Sequence, residues 1–391
     1  MTGPMDSPSS TFDLALPASD AAAQYIYIAV PWTPMGGGMY KVADYLIQSQ
    51  SYRDGGPVLR PLDTRGEGNA AMSLVQVARA VGQLVKARMA GKLAGVHVNM
   101  AERLDFVRES IVLLACRLLG IPTVLHLHAA QLHHSYRRFP APLQWLVRQV
   151  FALPRAVVVL GKESAGFVTK DLRVPEDRVE IVINGVPAPT VMRRAVEVDG
   201  VPRVLFVGNL SERKGVSDLL QALARPELSK VPFELTLAGG GDIAAYKAQA
   251  QRLRVADKVR FHGWATQEQL AQLLADTDVL VLPSYDEGLP LAILEAMANG
   301  VAVVCTPVGE IPHVLQHRHS ACFVEPGDPA SIARGLSQVI TDGELRERLE
   351  RTGQAMYQQQ FSLVRFAGSI ARIHERHFGL GAVPHQPETH A

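Results

Sequence analysis

Two glutamates, Glu287 and Glu295, occur in the stretch SYDEGLPLAILEAMANG (284–300) with seven residues between them. Glu295 lies in an apolar run, Leu291, Ala292, Ile293, Leu294 and then Ala296, Met297, Ala298. A carboxylate buried among such side chains is costly unless it has partners. It can only accept hydrogen bonds, so neither acid suits a phosphate directly. Each suits sugar hydroxyls, and a vicinal diol can satisfy both oxygens of one carboxylate. Such charge-assisted bonds contribute about 1.5–3 kcal/mol each. A sugar on each side of a diphosphate would use both acids, one per sugar, which describes a nucleotide sugar. A solvent-facing Glu295 beside a plain surface loop fits the same spacing equally well.

The turn Gly288-Leu289-Pro290-Leu291 reads as the entry to a helix, whose free backbone N–H groups would favour a phosphate. It sets Glu287 just before the helix and Glu295 about two turns inside. Three further groups carry chemistry. Gly36-Gly37-Gly38 follows the first strand and opens a helix, so the backbone can approach a ligand closely. GNLSERKGVSDLL (208–220) repeats the strand, loop and helix order and offers Arg213 and Lys214 to a diphosphate. His128 ends the segment PTVLHLH (122–128), two residues after His126. A strand histidine is commonly structural, but a place at the strand's carboxyl end suits a site.

These residues need elements to hold them. Short β-branched runs at 25–30, 95–100, 122–127, 156–160 and 179–183 alternate with helical patterns near 39–50, 70–90, 103–119, 141–152 and 163–171. A second series of strands runs through 203–208, 233–239, 258–263, 278–283, 301–306 and 321–325. Continuous apolar strands alternating with helices indicate parallel sheets covered on both faces. The expected fold class is α/β, with two doubly wound, Rossmann-like domains facing across a cleft. Their boundaries are 21–190 and 200–360, with an unpatterned, proline-bearing linker at 187–202 and an amphipathic helix at 361–379. Ligands of such sheets bind at the carboxyl ends of the strands, where the residues above fall.

The pattern E-G-x-P-x-x-x-x-E-A-M-A-x-G at 287–300 closely resembles the signature of retaining glycosyltransferases of the GT-B fold, family four. The resemblance runs from PWTPMGGG (31–38) to the C-terminal helix. It implies that Glu287 lies by the donor sugar, that Glu295 holds the ribose hydroxyls, and that Gly37 and Gly38 match the family's glycine loop. It also implies that His128 faces the reaction centre, beside Glu287 and Lys214, and that the walls of the base pocket include Gly240 and Trp264. The final helix is expected to cross back onto the first domain. There are departures. Asn209 stands where the family has an arginine, Pro187 replaces an acid after Asn184-Gly185, and Glu310 replaces a glycine. The implied reaction transfers a hexose from a nucleotide diphosphate sugar, as co-substrate, to a glycan or lipid-linked acceptor with retention. Bacterial surface polysaccharide or glycolipid synthesis is the preferred setting. A GT-B epimerase acting without an acceptor, or a nucleotide-sugar-binding subunit with weak catalysis, remains open.

Composition bounds the rest. The chain has 391 residues, 47% hydrophobic and 20% charged, with a formal net charge of +1, which gives no electrostatic reason to expect nucleic acid. Cys116, Cys305 and Cys322 are odd in number and far apart, arguing for a reducing, cytoplasmic compartment and against a disulfide framework or structural zinc. Residues 1–20 carry two acids and no Lys or Arg and read as a disordered lead-in rather than a signal peptide. Asp276-Thr277-Asp278 reads as a helix–strand junction rather than a metal site, and with Lys214, Arg213 and helix dipoles available no metal or other cofactor is required. Residues 133–155 hold four arginines and no acid. Leu143, Leu146, Val147, Val150 and Phe151 line one helical face there, which suits either packing on the first sheet or peripheral contact with an anionic membrane on its inner face.

Overall fold

The structure, a computed structural model, describes residues 24–32, 37–50, 56–101, 104–129, 132–194 and 200–380. The lead-in and Gly36 lie outside them. The strands fall into two six-stranded sheets. The first contains β1 (Tyr25–Val30), β2 (Val58–Asp63), β3 (Leu93–Met100), β4 (Thr123–Leu127), β5 (Ala156–Val159) and β6 (Val179–Ile181), in the order β2-β1-β3-β4-β5-β6. The second contains β7 (Arg203–Val207), β8 (Glu234–Ala238), β9 (Val259–Gly263), β10 (Val279–Leu282), β11 (Ala302–Cys305) and β12 (Cys322–Phe323), in the order β12-β11-β10-β7-β8-β9. All pairings are parallel. Central strands such as VLVL of β10 and AVVV of β5 are buried throughout, as expected where helices cover both faces.

β2 is an addition to the sequence reading. Its run VLRPLD is broken by Pro61 and Arg60, so it lacks an apolar signature. It occupies the sheet edge, where a proline is tolerated because one side of the strand needs no ladder partner.

Strand order reverses between β1 and β3 in the first sheet and between β7 and β10 in the second. Loops diverge at such points and leave crevices at the carboxyl ends of the strands. The start of helix α1 (Gly37–Ser49), the start of the loop after β3, and His128 after β4 therefore gather on one side. The loops after β7 and β10 gather on the other.

On the far face of the first sheet lie α2 (Ala70–Met89), α3 (Leu104–Leu118), α4 (Leu132–Arg138) and α5 (Ala141–Ala152). Residues 133–155 thus hold two helices broken before Pro140, the second matching the helical pattern expected near 141–152. The expected single apolar face divides as well. Val147, Val150 and Phe151 are buried, whereas Leu143, Trp145 and Leu146 are exposed. The helix α6 (Lys162–Gly166) runs on into a π-helical turn, Phe167–Asp171. The helix Leu363–Phe378 returns from the second sheet to the first. At the crossing the Val186 N–H donates to the Phe361 carbonyl and the Val186 carbonyl accepts from the Leu363 N–H, and His374 and Phe378 pack against His97 and Gly95 of β3.

Candidate active site

The loop after β10 turns at Pro290, which occupies the N-cap position of helix Leu291–Ala298. Glu287 is 7% exposed. Its Oε1 accepts from Lys214 Nζ at 2.5 Å and from Ser284 Oγ at 2.7 Å. The loop after β7 is tied to the same turn, because Tyr285 N–H donates to the Arg213 carbonyl and the Arg213 guanidinium donates to the Asp286 carbonyl, both at 2.9 Å. Gly215, at φ +68°, permits this approach. A Cβ there would lie 2.1 Å from the Pro283 carbonyl oxygen.

Glu295 is the fifth residue of its helix, little more than one turn in rather than two. It is 7% exposed, which answers the question its apolar surroundings raise. Its partners come from the other half of the molecule. Lys41 Nζ donates to its Oε1 at 2.5 Å and Tyr45 Oη donates to the same oxygen at 3.0 Å. Lys41 and Tyr45 are four residues apart on α1, hence on one face. Burial, and then the nearby Glu295 carboxylate, raise the Tyr45 phenol above its ordinary pKa, so it remains a donor. Neither residue carried a signal in the sequence, since they stand 254 and 250 positions from Glu295.

His128 Nε2 lies 2.9 Å from Asn99 Oδ1, and the Asn99 amide nitrogen donates to the Ala29 carbonyl at 3.2 Å. That second bond fixes which end of the amide faces the histidine. His128 therefore carries its proton on Nε2, leaving Nδ1 as an acceptor. Burial lowers its pKa to about 3, so the ring is neutral. Behind it, His126, His97 and His374 form a buried row. His97 Nδ1 lies 2.8 Å from His374 Nε2, and His97 Nε2 lies 3.3 Å from His126 Nδ1. Burial lowers the pKa of all three.

One cavity of about 600 Å³ is lined by Gly38, Lys41 and His128 from the first half and by Arg213, Lys214, Glu287, the Gly288–Leu291 turn and Glu295 from the second. Asn184 also lines it. A second chamber of about 640 Å³ meets the first at Leu160, Glu287 and Gly288 and extends past His133, His134, Glu163 and Asp286. Gly37, Gly240 and Trp264 are not among the residues lining the first cavity. Gly240 lies beside Asn209 and the half-exposed Trp264. Asp278 accepts from the Arg194 guanidinium and from Arg203 N–H, as a junction residue would, and no cluster suited to a metal occurs among the described residues.

Glu310, unexplained by the sequence, also joins the halves. It is 1% exposed. Its carboxylate accepts from Ser164 N–H and Ser164 Oγ, both at 2.8 Å, and from Glu163 N–H at 3.3 Å. Those groups belong to the first turn of α6. Gly161 makes room, for a Cβ there would stand 2.2 Å from Glu310 Oε2.

Two family models match the chain. Glycosyltransferase Family 4 covers residues 100–188 and Glycosyl transferases group 1 covers residues 189–356. An uncharacterized glycosyltransferase of Methanocaldococcus jannaschii is 29% identical over 232 residues, 56% of this chain and 59% of that protein. The N-acetyl-alpha-D-glucosaminyl L-malate synthase of Bacillus anthracis is 34% identical over 158 residues, 40% of this chain and 41% of that protein. The chain thus spans roughly half the length of these relatives. Among solved structures, Anabaena HepE in complex with UDP superposes with a TM-score of 0.70 at 19% identity, covering 90% of this chain and 99% of that one. HepE has also been solved with UDP-glucose.

Proposed function

The chain belongs to the group 1 glycosyltransferases of the GT-B fold, and from that premise we propose that it transfers a hexose from a nucleotide diphosphate sugar to an acceptor hydroxyl with retention. The observation that carries this reading is the common cavity of Glu287, Glu295, Lys214 and His128. Glu295 accepts from the ribose hydroxyls and Glu287 from the donor sugar. The diphosphate lies between them against Lys214, Arg213, the Gly288–Leu291 turn and Gly38 at the start of α1. His128, neutral with Nδ1 free to accept, takes a hydrogen bond from a sugar hydroxyl. The bond from the anomeric carbon to the diphosphate breaks as the acceptor oxygen bonds the same face. The acceptor proton passes to the departing phosphate oxygen, and the lysine and amide dipoles stabilise the charge that develops there. A uridine donor is favoured by the HepE complexes.

The second chamber favours transfer over epimerisation, because it offers an acceptor room that opens onto Glu287. The test is a panel of nucleotide sugars with and without glycan and lipid-linked acceptors, followed by the anomeric configuration of the product. An inverted product, or turnover that needs no acceptor, would overturn the reading.

The acceptor is lipid-linked in this reading, and the enzyme rests on an anionic membrane surface. No helix among the described residues is long and apolar enough to cross a membrane. The far face of the first sheet is apolar outward as well as inward. Leu104, Val107, Ile111, Leu114 and Leu118 follow 3,4 spacing along α3 and are all exposed, as are Val75, Val85 and Met89 on α2 and Trp145 on α5. α2, α4 and α5 carry Arg79, Lys86, Arg88, Arg137, Arg138 and Arg148 and no acid. Apolar side chains edged by cations suit anionic headgroups. Flotation with vesicles that contain anionic lipid, and not with neutral vesicles, is the expected result.

A further inference from the structure

We propose that Lys41, on the first half of the molecule, is a donor-binding cation that contacts the diphosphate and so ties nucleotide binding to the meeting of the two halves. The inference rests on the transferase reading above. Three lysine and arginine side chains line the donor cavity among the described residues: Lys41, Arg213 and Lys214. Lys214 is held by Glu287. Arg213 is exposed and donates to the Asp286 carbonyl. On the loop after β7, the residue following Gly208 is Asn209, an uncharged side chain beside Gly240 and not among those lining the cavity. Lys41 is likewise paired, with Glu295 at 2.5 Å, but it comes from the first half of the molecule. Its side chain is 23% exposed against 14% for Lys214, it is the fifth residue of α1, three beyond Gly38, and both it and Glu295 line the cavity.

If the ribose is at Glu295 and the sugar at Glu287, the diphosphate runs from one acid toward the other. Lys41 is then at its ribose end. An ammonium has three N–H donors, so Lys41 can keep its bond to Glu295 and direct another at a phosphate oxygen. Lys41 and Tyr45 both use Oε1 of Glu295, which leaves Oε2 for a ribose hydroxyl. Neither partner therefore has to leave when the donor arrives. A different arrangement, in which Lys41 merely occupies the place of the ribose and must be displaced, predicts the opposite sign. Removing the lysine would then tighten donor binding.

The experiment is calorimetric titration with UDP, GDP and inorganic pyrophosphate of the wild type, Lys41→Gln, Lys41→Arg and Tyr45→Phe. Lys41→Gln keeps a hydrogen bond to Glu295 but removes the charge. It should weaken diphosphate and pyrophosphate binding about tenfold, the lower end for one charge-assisted bond. Lys41→Arg should retain affinity within about threefold by keeping that bond. Tyr45→Phe, which removes one bond to Glu295 but keeps the ring beside the Lys41 ammonium, should leave pyrophosphate binding unchanged. Adding Asn209→Arg to Lys41→Gln should restore part of the loss by placing a cation on the neighbouring loop. Unchanged or tighter binding by Lys41→Gln would overturn the inference and leave the transferase reading standing. A wild type that binds none of the three would overturn both.

Discussion

Glu287 and Glu295 line the same cavity but are held in opposite ways. Glu287 is held within its own half, by Lys214 on the loop after β7 and Ser284 on the loop after β10. Glu295 is held from the other half, by Lys41 and Tyr45 of α1. The difference teaches that one end of the site is assembled by a single sheet, whereas the other exists only when the two halves meet. Perturbing Glu287 should therefore disturb chemistry locally. Perturbing Glu295 should disturb donor binding and the contact between halves together.

The largest expected effect is at Glu287. Glu287→Gln leaves Lys214 half-buried without its ion pair and removes a charged acceptor from the sugar, so turnover should fall by about a hundredfold, the upper range for one charge-assisted bond. Donor affinity should change far less. Steady-state kinetics that show equal losses in kcat and affinity at Glu287 and Glu295 would erase the contrast between them.

The second effect concerns the other clasp between the halves. Glu310→Ala removes a buried carboxylate from two backbone N–H groups and a hydroxyl, and should cost about 2–3 kcal/mol of stability in urea unfolding. Gly161→Ala should destabilise by a comparable amount, since its Cβ has no room beside Glu310. A loss below about 0.5 kcal/mol for both variants, the range of ordinary surface changes, would show that this contact does not hold the halves together.

The third is a pH dependence that belongs to the first half. His97, His126, His128 and His374 have pKa values below their ordinary 6.5, with His128 and His374 near 3. Below pH 6.5 the unfolded chain binds protons that the folded chain refuses, so stability falls as pH drops. Each histidine contributes up to about 1.4 kcal/mol per pH unit. Glu109 acts in the other direction. Burial raises its pKa from 4.5 to about 8, so its preference for the folded state is complete below 4.5 and lost as pH rises through 8. Four histidines outnumber one glutamate, and unfolding midpoints should decline from pH 6.5 to 5. His374→Gln should flatten that decline. A flat profile in the wild type would contradict the neutral histidine row.

The smallest effect should be at Trp264, which is 47% exposed and does not line the donor cavity. Trp264→Ala is expected to change diphosphate affinity by about twofold or less, the scale of a surface substitution. A larger loss would place the base against this side chain.

Much of the second half was legible in the sequence because its chemistry is local. The strand before Glu287, the turn at Pro290 and the helix bearing Glu295 are one contiguous block, and its apolar runs declare the strands. What the sequence did not disclose depends on long-range meeting. Lys41 and Tyr45 look like ordinary polar residues of an amphipathic helix until α1 faces Glu295. Glu310 looks like an unexplained replacement until α6 arrives with free backbone N–H groups. His97 and His374 are separated by 277 positions, and nothing in local periodicity marks them as neighbours. β2 was missed for a local reason, since Pro61 interrupts a strand that only the sheet edge tolerates.

The central claim is that Glu295 grips a ribose diol while Glu287 serves the transferred sugar. Its most direct test is a binding cycle of wild type and Glu295→Gln with UDP and with 2′,3′-dideoxy-UDP. The wild type should prefer UDP by about tenfold or more, as expected for hydroxyl bonds to a charged acceptor, and Glu295→Gln should bind the two nearly equally. A preference for UDP that persists undiminished in Glu295→Gln would contradict the account.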